Sequence, residues 1–230
     1  MKTKTIVLIT LFALACTGLA LGQTQKGKRI YDISEVETIS INIACQLVVV
    51  QGNKPNIEIL GEEYLLKEID TNIRNGKATL TSDWKWRSRE DVVVKIEISD
   101  LKQLNIGGAV DMKTIRTLTL PEFRMVVSGV GNIEMDLTSD SFRLTCSGVC
   151  NMDVRGSTEY LRISVSGVGN INATELKATN AKVSNSGVGK VNVLATEMLE
   201  ATVSGIGSIR YAGNPMVKAN ISGLGSVKKY

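Results

Sequence analysis

The tetrapeptide Ser-Gly-x-Gly, with an aliphatic residue at x, recurs six times in the second half of the chain. Its copies begin at Ser128, Ser147, Ser166, Ser186, Ser204 and Ser222, at intervals of 19, 19, 20, 18 and 18 residues. The glycines are Gly129 and Gly131, Gly148, Gly167 and Gly169, Gly187 and Gly189, Gly205 and Gly207, and Gly223 and Gly225; Cys150 stands in place of one second glycine. A degenerate copy, Gly107-Gly108-Ala109-Val110, lies 21 residues before the first. A period near 19 is too short for a helical hairpin repeat and too long for a heptad. It suits one coil of a β-solenoid, which buries its apolar face only by stacking on neighbours.

A second regularity supports this fold. Before each Ser-Gly lies a five-residue run, such as Phe123 to Val127, Phe142 to Cys146 and Leu161 to Val165. The first, third and fifth residues are mostly apolar and the second is charged, the alternation of a strand with one buried face. After each Gly-x-Gly comes a short segment with apolar outer residues and a polar centre, as in Ile133-Glu134-Met135 and Met152-Asp153-Val154. The expectation is an all-β, parallel β-helix-like solenoid with coils of about 18–20 residues. Each coil has at least two strands, and Ser-Gly-x-Gly-Asn forms the corner between them. In that reading the glycines supply positive φ and close approach of coils. Asn132, Asn151 and Asn170 accept left-handed backbone with local hydrogen bonds. Val168, Ile171, Ile163 and Val165 share the core of one coil. Asn185 breaks an inward apolar row and needs partners among the corner backbone groups.

The chain opens with Met1-Lys2-Thr3-Lys4, an apolar run from Ile6 to Leu21, and Ala20-Leu21-Gly22-Gln23. This reads as a secretory signal peptide over residues 1–22, cut after Gly22. A lipoprotein signal with Cys16 as the lipidated residue is the alternative. Residues 23–230 are expected to form one solenoid domain, with irregular coils over 23–105 and regular repeats over 106–230. Removing Lys2 and Lys4 from the 27 basic residues leaves 25 against 23 acidic ones, a net charge of +2. That is no footprint for nucleic acid. No later apolar stretch is long enough to cross a bilayer as a helix. The export reading places the protein in the periplasm, at the outer-membrane surface or outside the cell.

The N-terminal part is also β-rich, with strand patterns over Ile39 to Gln51, Ile57 to Leu60, Ala78 to Leu80 and Val92 to Ile98. Asn75-Gly76 is a turn signal, and Glu62 to Glu68 can form a helical turn. This region is expected to continue the solenoid and cap its first coil.

At this point the chain resembles the "head GIN domain" family of autotransporter-adhesin-like proteins of Bacteroidota, whose function is unknown. The resemblance rests on the leader, on the β-rich segment with Asn-Gly, and on rungs such as Ser128-Gly129-Val130-Gly131-Asn132-Ile133 and Ser166-Gly167-Val168-Gly169-Asn170-Ile171. It covers about Arg29 to Tyr230. It implies a right-handed parallel β-helix-like fold outside the cytoplasm, an adhesin-like role, and no catalytic residues.

The Gly-x-Gly corners are not dinucleotide loops, because strands follow them rather than a helix. Calcium binding wants nine-residue repeats with carboxylates, and Asn or Ser stands there instead. No cofactor or metal is expected. The chain has no His, and a C-x3-C pattern alone is weak for zinc. Cys45, Cys146 and Cys150 read as small core fillers, an odd number that excludes full intramolecular pairing. Carbohydrate-cleaving β-helices need convergent carboxylates; the outward middle row of the second strand offers only Glu134 and Asp153, which read as solvated.

Two features remain as ligand candidates. The outward second position of the first strand reads Arg124, Arg143, Arg162, Lys182, Glu200, Lys218. Stacked like charges repel, so this stripe is not explained by stability. It suits an anionic envelope polysaccharide, a lipid headgroup or an acidic surface protein; its bland counterpart is a solubilising face. Trp84 and Trp86 share one face of an extended segment and suit sugar stacking, or else cover the core end. The reading is a non-catalytic exported binding or structural module. A pectin-cleaving relative and a self-assembling protein are the alternatives, the last through an unpaired coil edge at the solenoid end.

Overall fold

The computed structural model describes residues 26–82 and 92–230; the leader, with Cys16, and the Trp84–Trp86 segment lie outside the described residues. In chain order the strands begin with β1 (Lys26–Asp32), β2 (Thr38–Asn42), β3 (Cys45–Gln51) and β4 (Asn56–Glu62). A short helix α1 (Glu63–Lys67) precedes β5 (Ile69–Arg74), β6 (Lys77–Ser82) and β7 (Val92–Ile98). Next come β8 (Gln103–Ile106), β9 (Ala109–Thr114), β10 (Leu118–Thr119) and β11 (Glu122–Val127). The long strands are β12 (Val130–Cys146), β13 (Val149–Val165), β14 (Val168–Asn185) and β15 (Val188–Val203), followed by β16 (Ile206–Ala212), β17 (Met216–Ile221) and β18 (Leu224–Lys229).

The parallel solenoid expected from the period is present, with about seven turns. Phe123, Phe142, Leu161, Ala181, Leu199 and Val217 stack in register, as do Ile133, Met152, Ile171, Val191, Ile209 and Val227. Inward rows such as Met125–Leu144–Ile163–Val183–Ala201 are essentially inaccessible to solvent. A third short face closes each coil, where Leu118, Leu137, Leu176 and Ala178 are buried and the Ser139 hydroxyl donates to Thr158 Oγ1 at 3.0 Å. Because each coil contacts only its neighbours, the core is a column of like residues at the strand spacing of about 4.8 Å.

The N-terminal rungs are out of sequence order. β2 and β3 form one rung, and β8 and β9 form the next. The chain between them travels outward and returns as β6 and β7, which pair on the opposite side of β2 and β3. Antiparallel β5 and β4 then cover this outer rung, and β1 extends the sheet beyond β4. Leu65 and Leu66 of α1 are buried. The capping role expected of this region is thus carried by antiparallel strands and one helical turn. The β5–β6 hairpin turns at Asn75 (φ 51°) and Gly76 (φ 70°), the double left-handed conformation that Asn-Gly favours. At the other end, among the described residues, β17 pairs only with β15, and β18 only with β16. There the inward-row residues Val217 and Ile221 are 37% and 46% exposed. Among the described residues no helix is long and apolar enough to cross a membrane.

The corner differs from its expected form in three respects. It is two residues long, Ser-Gly, and the strand resumes at x. Burial therefore alternates as x out, second Gly in, Asn out, Ile in. Val168 is consequently not core but 44% exposed, like Val149, Val188, Ile206 and Leu224 in its row. At Gly169 the inward position is crowded for any side chain, since a Cβ there would lie 2.8 Å from Val165 Cγ1. Secondly, the first glycines do not have positive φ. They are required because a Cβ on Gly148 would lie 2.0 Å from the Gly129 carbonyl oxygen of the preceding coil, and the other corners repeat this contact. Ser147 N and Gly148 N both donate to Val127 O, fixing that approach. Thirdly, the asparagines do not adopt left-handed backbone. Their amides form a ladder along the stack: Asn170 Nδ2 donates to Asn151 Oδ1, Asn151 Nδ2 to Asn132 Oδ1, and Asn132 Nδ2 to Asp111 Oδ1 at 2.7 Å.

Asn185 is fully buried, and its Nδ2 donates to the corner carbonyl Gly189 O at 3.3 Å. Its Oδ1 has no partner, and a buried unpaired acceptor costs about 1–3 kcal/mol. Its row neighbours are Val165 and Val203. Asn185→Val should therefore raise the melting temperature by about 2–4 °C, a gain of about 1 kcal/mol. Differential scanning calorimetry checks it, and a lower melting temperature would show that the Nδ2 bond outweighs the orphaned oxygen.

Candidate functional site

The coil register brings the basic row together as the alternation requires. Gln103, Arg124, Arg143, Arg162, Lys182, Glu200 and Lys218 occupy successive rungs of one outward line. Each side chain is flanked along its own strand by residues that point inward, such as Leu161 and Ile163 around Arg162, so the cations have nowhere to go but outward. Lys182 Nζ meets Glu200 Oε2 at 2.8 Å. That hydrogen bond, with the nearby Lys218 and Arg162 charges, holds the Glu200 carboxyl below the usual carboxylate range. Among the described residues Arg124, Arg143 and Arg162 form no salt bridge, although Glu122 and Glu200 share their groove.

A second row lies beside them. Ser141, Tyr160, Asn180, Met198 and Met216 stack in register one position before each inward residue of the first strand. Tyr160 is 53% and Met198 51% exposed. The Glu159 carboxylate hydrogen-bonds the Tyr160 hydroxyl and raises its pKa. Between the rows runs a groove of about 470 Å³ lined by Arg143, Tyr160, Arg162, Lys182 and Met198. It continues through Ser141 and Arg143 into a recess of about 160 Å³ beside Lys102, Phe123 and Arg124. Arginine forks offer paired donors to phosphate, sulfate or carboxylate, and an aromatic ring beside them offers a face to a sugar or an acyl segment. Tyr160 and Met198 were missed in the sequence because their position lies where the coil bends, outside the clean two-residue alternation.

A separate groove of about 470 Å³ lies on the other strand face, among Gln46, Asp111, Lys113, Asn132, Glu134, Asn151 and Asp153. Glu134 and Asp153 are in-register neighbours there. Asp153 accepts from Asn172 Nδ2 at 2.8 Å and Asp111 accepts from Asn132, so these carboxylates serve the side-chain ladders. Among the described residues no group of three acidic or thiol side chains is arranged to hold a metal ion. Three corner serines bond to the preceding coil: Ser186 Oγ donates to Val165 O at 3.2 Å, and Ser128 and Ser166 Oγ donate to Ile106 O and Cys146 O at 3.4 Å.

The comparisons with known proteins agree with this architecture. A putative adhesin from Bacteroides fragilis has the same fold, with a TM-score of 0.83 and 25% identity over 90% of this chain and 97% of that one. A putative lipid binding protein from Parabacteroides distasonis superposes with a TM-score of 0.70 at 20% identity, covering 91% of this chain and 98% of that one. A putative adhesin from Parabacteroides merdae gives a TM-score of 0.62 at 20% identity, covering 91% and 98%. None of the curated proteins matches the chain. The family and these neighbours are described as putative adhesins or a binding protein, not as enzymes. Residues 36–215 match the model of one family, and with the stacked Ser-Gly-x-Gly coils now placed, the chain belongs to the putative auto-transporter adhesin, head GIN domain, family.

Proposed function

We propose that the protein is a non-catalytic, adhesin-like module exported to the bacterial envelope, and that it binds an anionic surface component along the groove beside Arg124, Arg143 and Arg162. The observation that carries this reading is the alignment, on consecutive rungs next to Tyr160 and Met198, of three guanidinium groups that form no salt bridge among the described residues. Like charges stacked at strand spacing repel, so the row lowers stability slightly and favours a polyanion running along the solenoid axis. An acidic polysaccharide fits that geometry, and so does a layer of lipid phosphates; the name of the Parabacteroides distasonis neighbour makes the second worth testing. The leader pattern supports export, and no resident cofactor enters the reading.

The test uses the triple variant Arg124→Glu, Arg143→Glu, Arg162→Glu with two probes, sulfated dextran and phosphatidylglycerol vesicles. Affinity for the preferred probe should fall by about tenfold or more, while circular dichroism stays unchanged. Wild-type binding should weaken as salt rises, because exposed charges are screened over about 8–10 Å near physiological ionic strength. Unaltered binding by the triple variant, together with loss of binding in Trp84→Ala, Trp86→Ala at any salt, would move the site to the tryptophans.

A further inference from the structure

Cys146 and Cys150 occupy two positions that the repeat brings together in every coil. Cys146 is the last inward residue before a Ser-Gly corner, and Cys150 is the first inward residue after it. Their in-register equivalents in the next coil are Val165 and Gly169. A Cβ built on Gly169 lies 3.7 Å from Val165 Cβ. Disulfides hold their Cβ atoms about 3.5–4.5 Å apart, with a mean near 3.8 Å. The corner therefore presents this pair of positions at disulfide spacing, and in one coil both are cysteines.

The neighbouring coils show why two side chains rarely share this place. A Cβ on Gly169 would lie 2.8 Å from Val165 Cγ1, and one on Gly131 3.3 Å from Val127 Cγ1. Those distances crowd non-bonded atoms, whereas a covalent bridge brings its atoms at least as close. Both thiols are free and fully buried, and Cys146 Sγ donates to Gly148 O and Val168 O, each at 3.8 Å. Its interaction with Cys150 lowers the Cys146 thiol pKa, and the same interaction with burial pushes Cys150 up. Cys45 is no competitor. It shares an inward row with Cys150 but sits three rungs away, through Val110 and Gly131. Three rungs are about 14 Å, and bridged Cα atoms lie within about 7 Å. Burial, with the nearby Asp111 charge, also pushes the Cys45 thiol up to about 12, which leaves it unreactive at neutral pH.

We propose that Cys146 and Cys150 form an intramolecular disulfide across the Ser147–Gly148–Val149 corner when the chain folds in the presence of an organic disulfide. The Cys146 thiolate attacks one sulfur of that oxidant, and the other sulfur leaves as a thiolate. Cys150, losing its proton, then attacks Cys146 Sγ of the mixed disulfide and displaces the second thiol. Two protein thiols are oxidised and one external disulfide is reduced to two thiols. Exchange needs access to the sulfurs, and β12, β13 and β14 enclose both once stacked, so the bridge forms before the next coil docks. The same burial then shields it from reductants.

The test refolds the full chain from reducing guanidinium into a mixture of reduced and oxidised glutathione. The product is denatured, alkylated without reductant and digested with trypsin. Cleavage after Arg143 and Arg155 leaves both cysteines in peptide 144–155. Mass spectrometry should find that peptide unalkylated and two hydrogens lighter than the dithiol, with Cys45 alkylated. Peptide 144–155 carrying two alkyl groups overturns the proposal. Cys146→Val with Cys150→Gly restores the neighbouring coils' residues and supplies a folded comparator. Wild type refolded with oxidant should melt about 4–8 °C above wild type refolded with reductant, and the double variant should melt alike in both. No difference between the two wild-type preparations also counts against the bridge.

Discussion

Ile163→Asp should yield no folded protein, while Arg162→Asp, one residue away, should fold like the wild type. Ile163 is 1% exposed, between Leu144 and Val183 in the central inward row. Losing a buried aliphatic side chain costs about 2–5 kcal/mol. The carboxylate adds the cost of an unpaired charge among hydrocarbon, several kcal/mol even after relaxation. Together these approach the whole stability of an ordinary domain, about 5–15 kcal/mol. Arg162 points to solvent and has no ion-pair partner among the described residues, so its reversal disturbs only surface charge. Soluble expression, far-ultraviolet circular dichroism and cooperative melting distinguish the two. A cooperatively melting Ile163→Asp protein would contradict the register of the central coils.

The first and second glycines of successive corners should differ sharply in their tolerance of alanine. A Cβ on Gly148 meets Gly129 O at 2.0 Å, Ser128 O at 2.4 Å and Ser128 C at 2.7 Å, all backbone atoms held by ladders on both sides. Relief requires prising two coils apart. Gly148→Ala should therefore cost about 3 kcal/mol or more, a fall of about 6–12 °C in melting temperature. Gly131→Ala meets only flexible side-chain ends, Ile133 Cδ1 at 3.2 Å and Val127 Cγ1 at 3.3 Å. It should cost about 1 kcal/mol or less, since those side chains can shift. Equal losses in the two variants would refute the distinction between backbone contact and side-chain crowding.

The period and the alternation were legible because each coil repeats the same burial problem in the same order. Phe123, Met125 and Val127 could be assigned inward from their spacing alone, and the structure buries all three. Val168 could not, because a two-residue corner shifts the phase of the alternation, and only the stacked geometry shows where the shift falls. The role of Gly148 was half legible: a glycine allows both close approach and positive φ, and only the close approach is used here. The order of the first rungs was hidden for a different reason. A parallel rung accepts any strand of suitable pattern, so nothing in the patterns of β2, β6 and β8 says that β2 lies between the other two. The basic row was visible because it occupies one fixed strand position. Tyr160 and Met198 were not, because their row lies at a bend.

The stacking of corner glycines has a consequence for how such a molecule changes length. Each coil is locked to the next by the same backbone approach, from Gly129 on Gly108 through Gly223 on Gly205. Coils of 18 to 20 residues take up their difference in register shifts away from the corner, near Asp153 and between Ala173 and Asn180, so the corners stay aligned, and a whole repeat can be inserted or removed without altering the joints on either side. The groove beside the arginines grows or shortens with it, by about 4.8 Å and one outward side chain per repeat. The protein is a ruler graduated in coils, and the length of that groove is set by counting repeats rather than by reshaping any one of them.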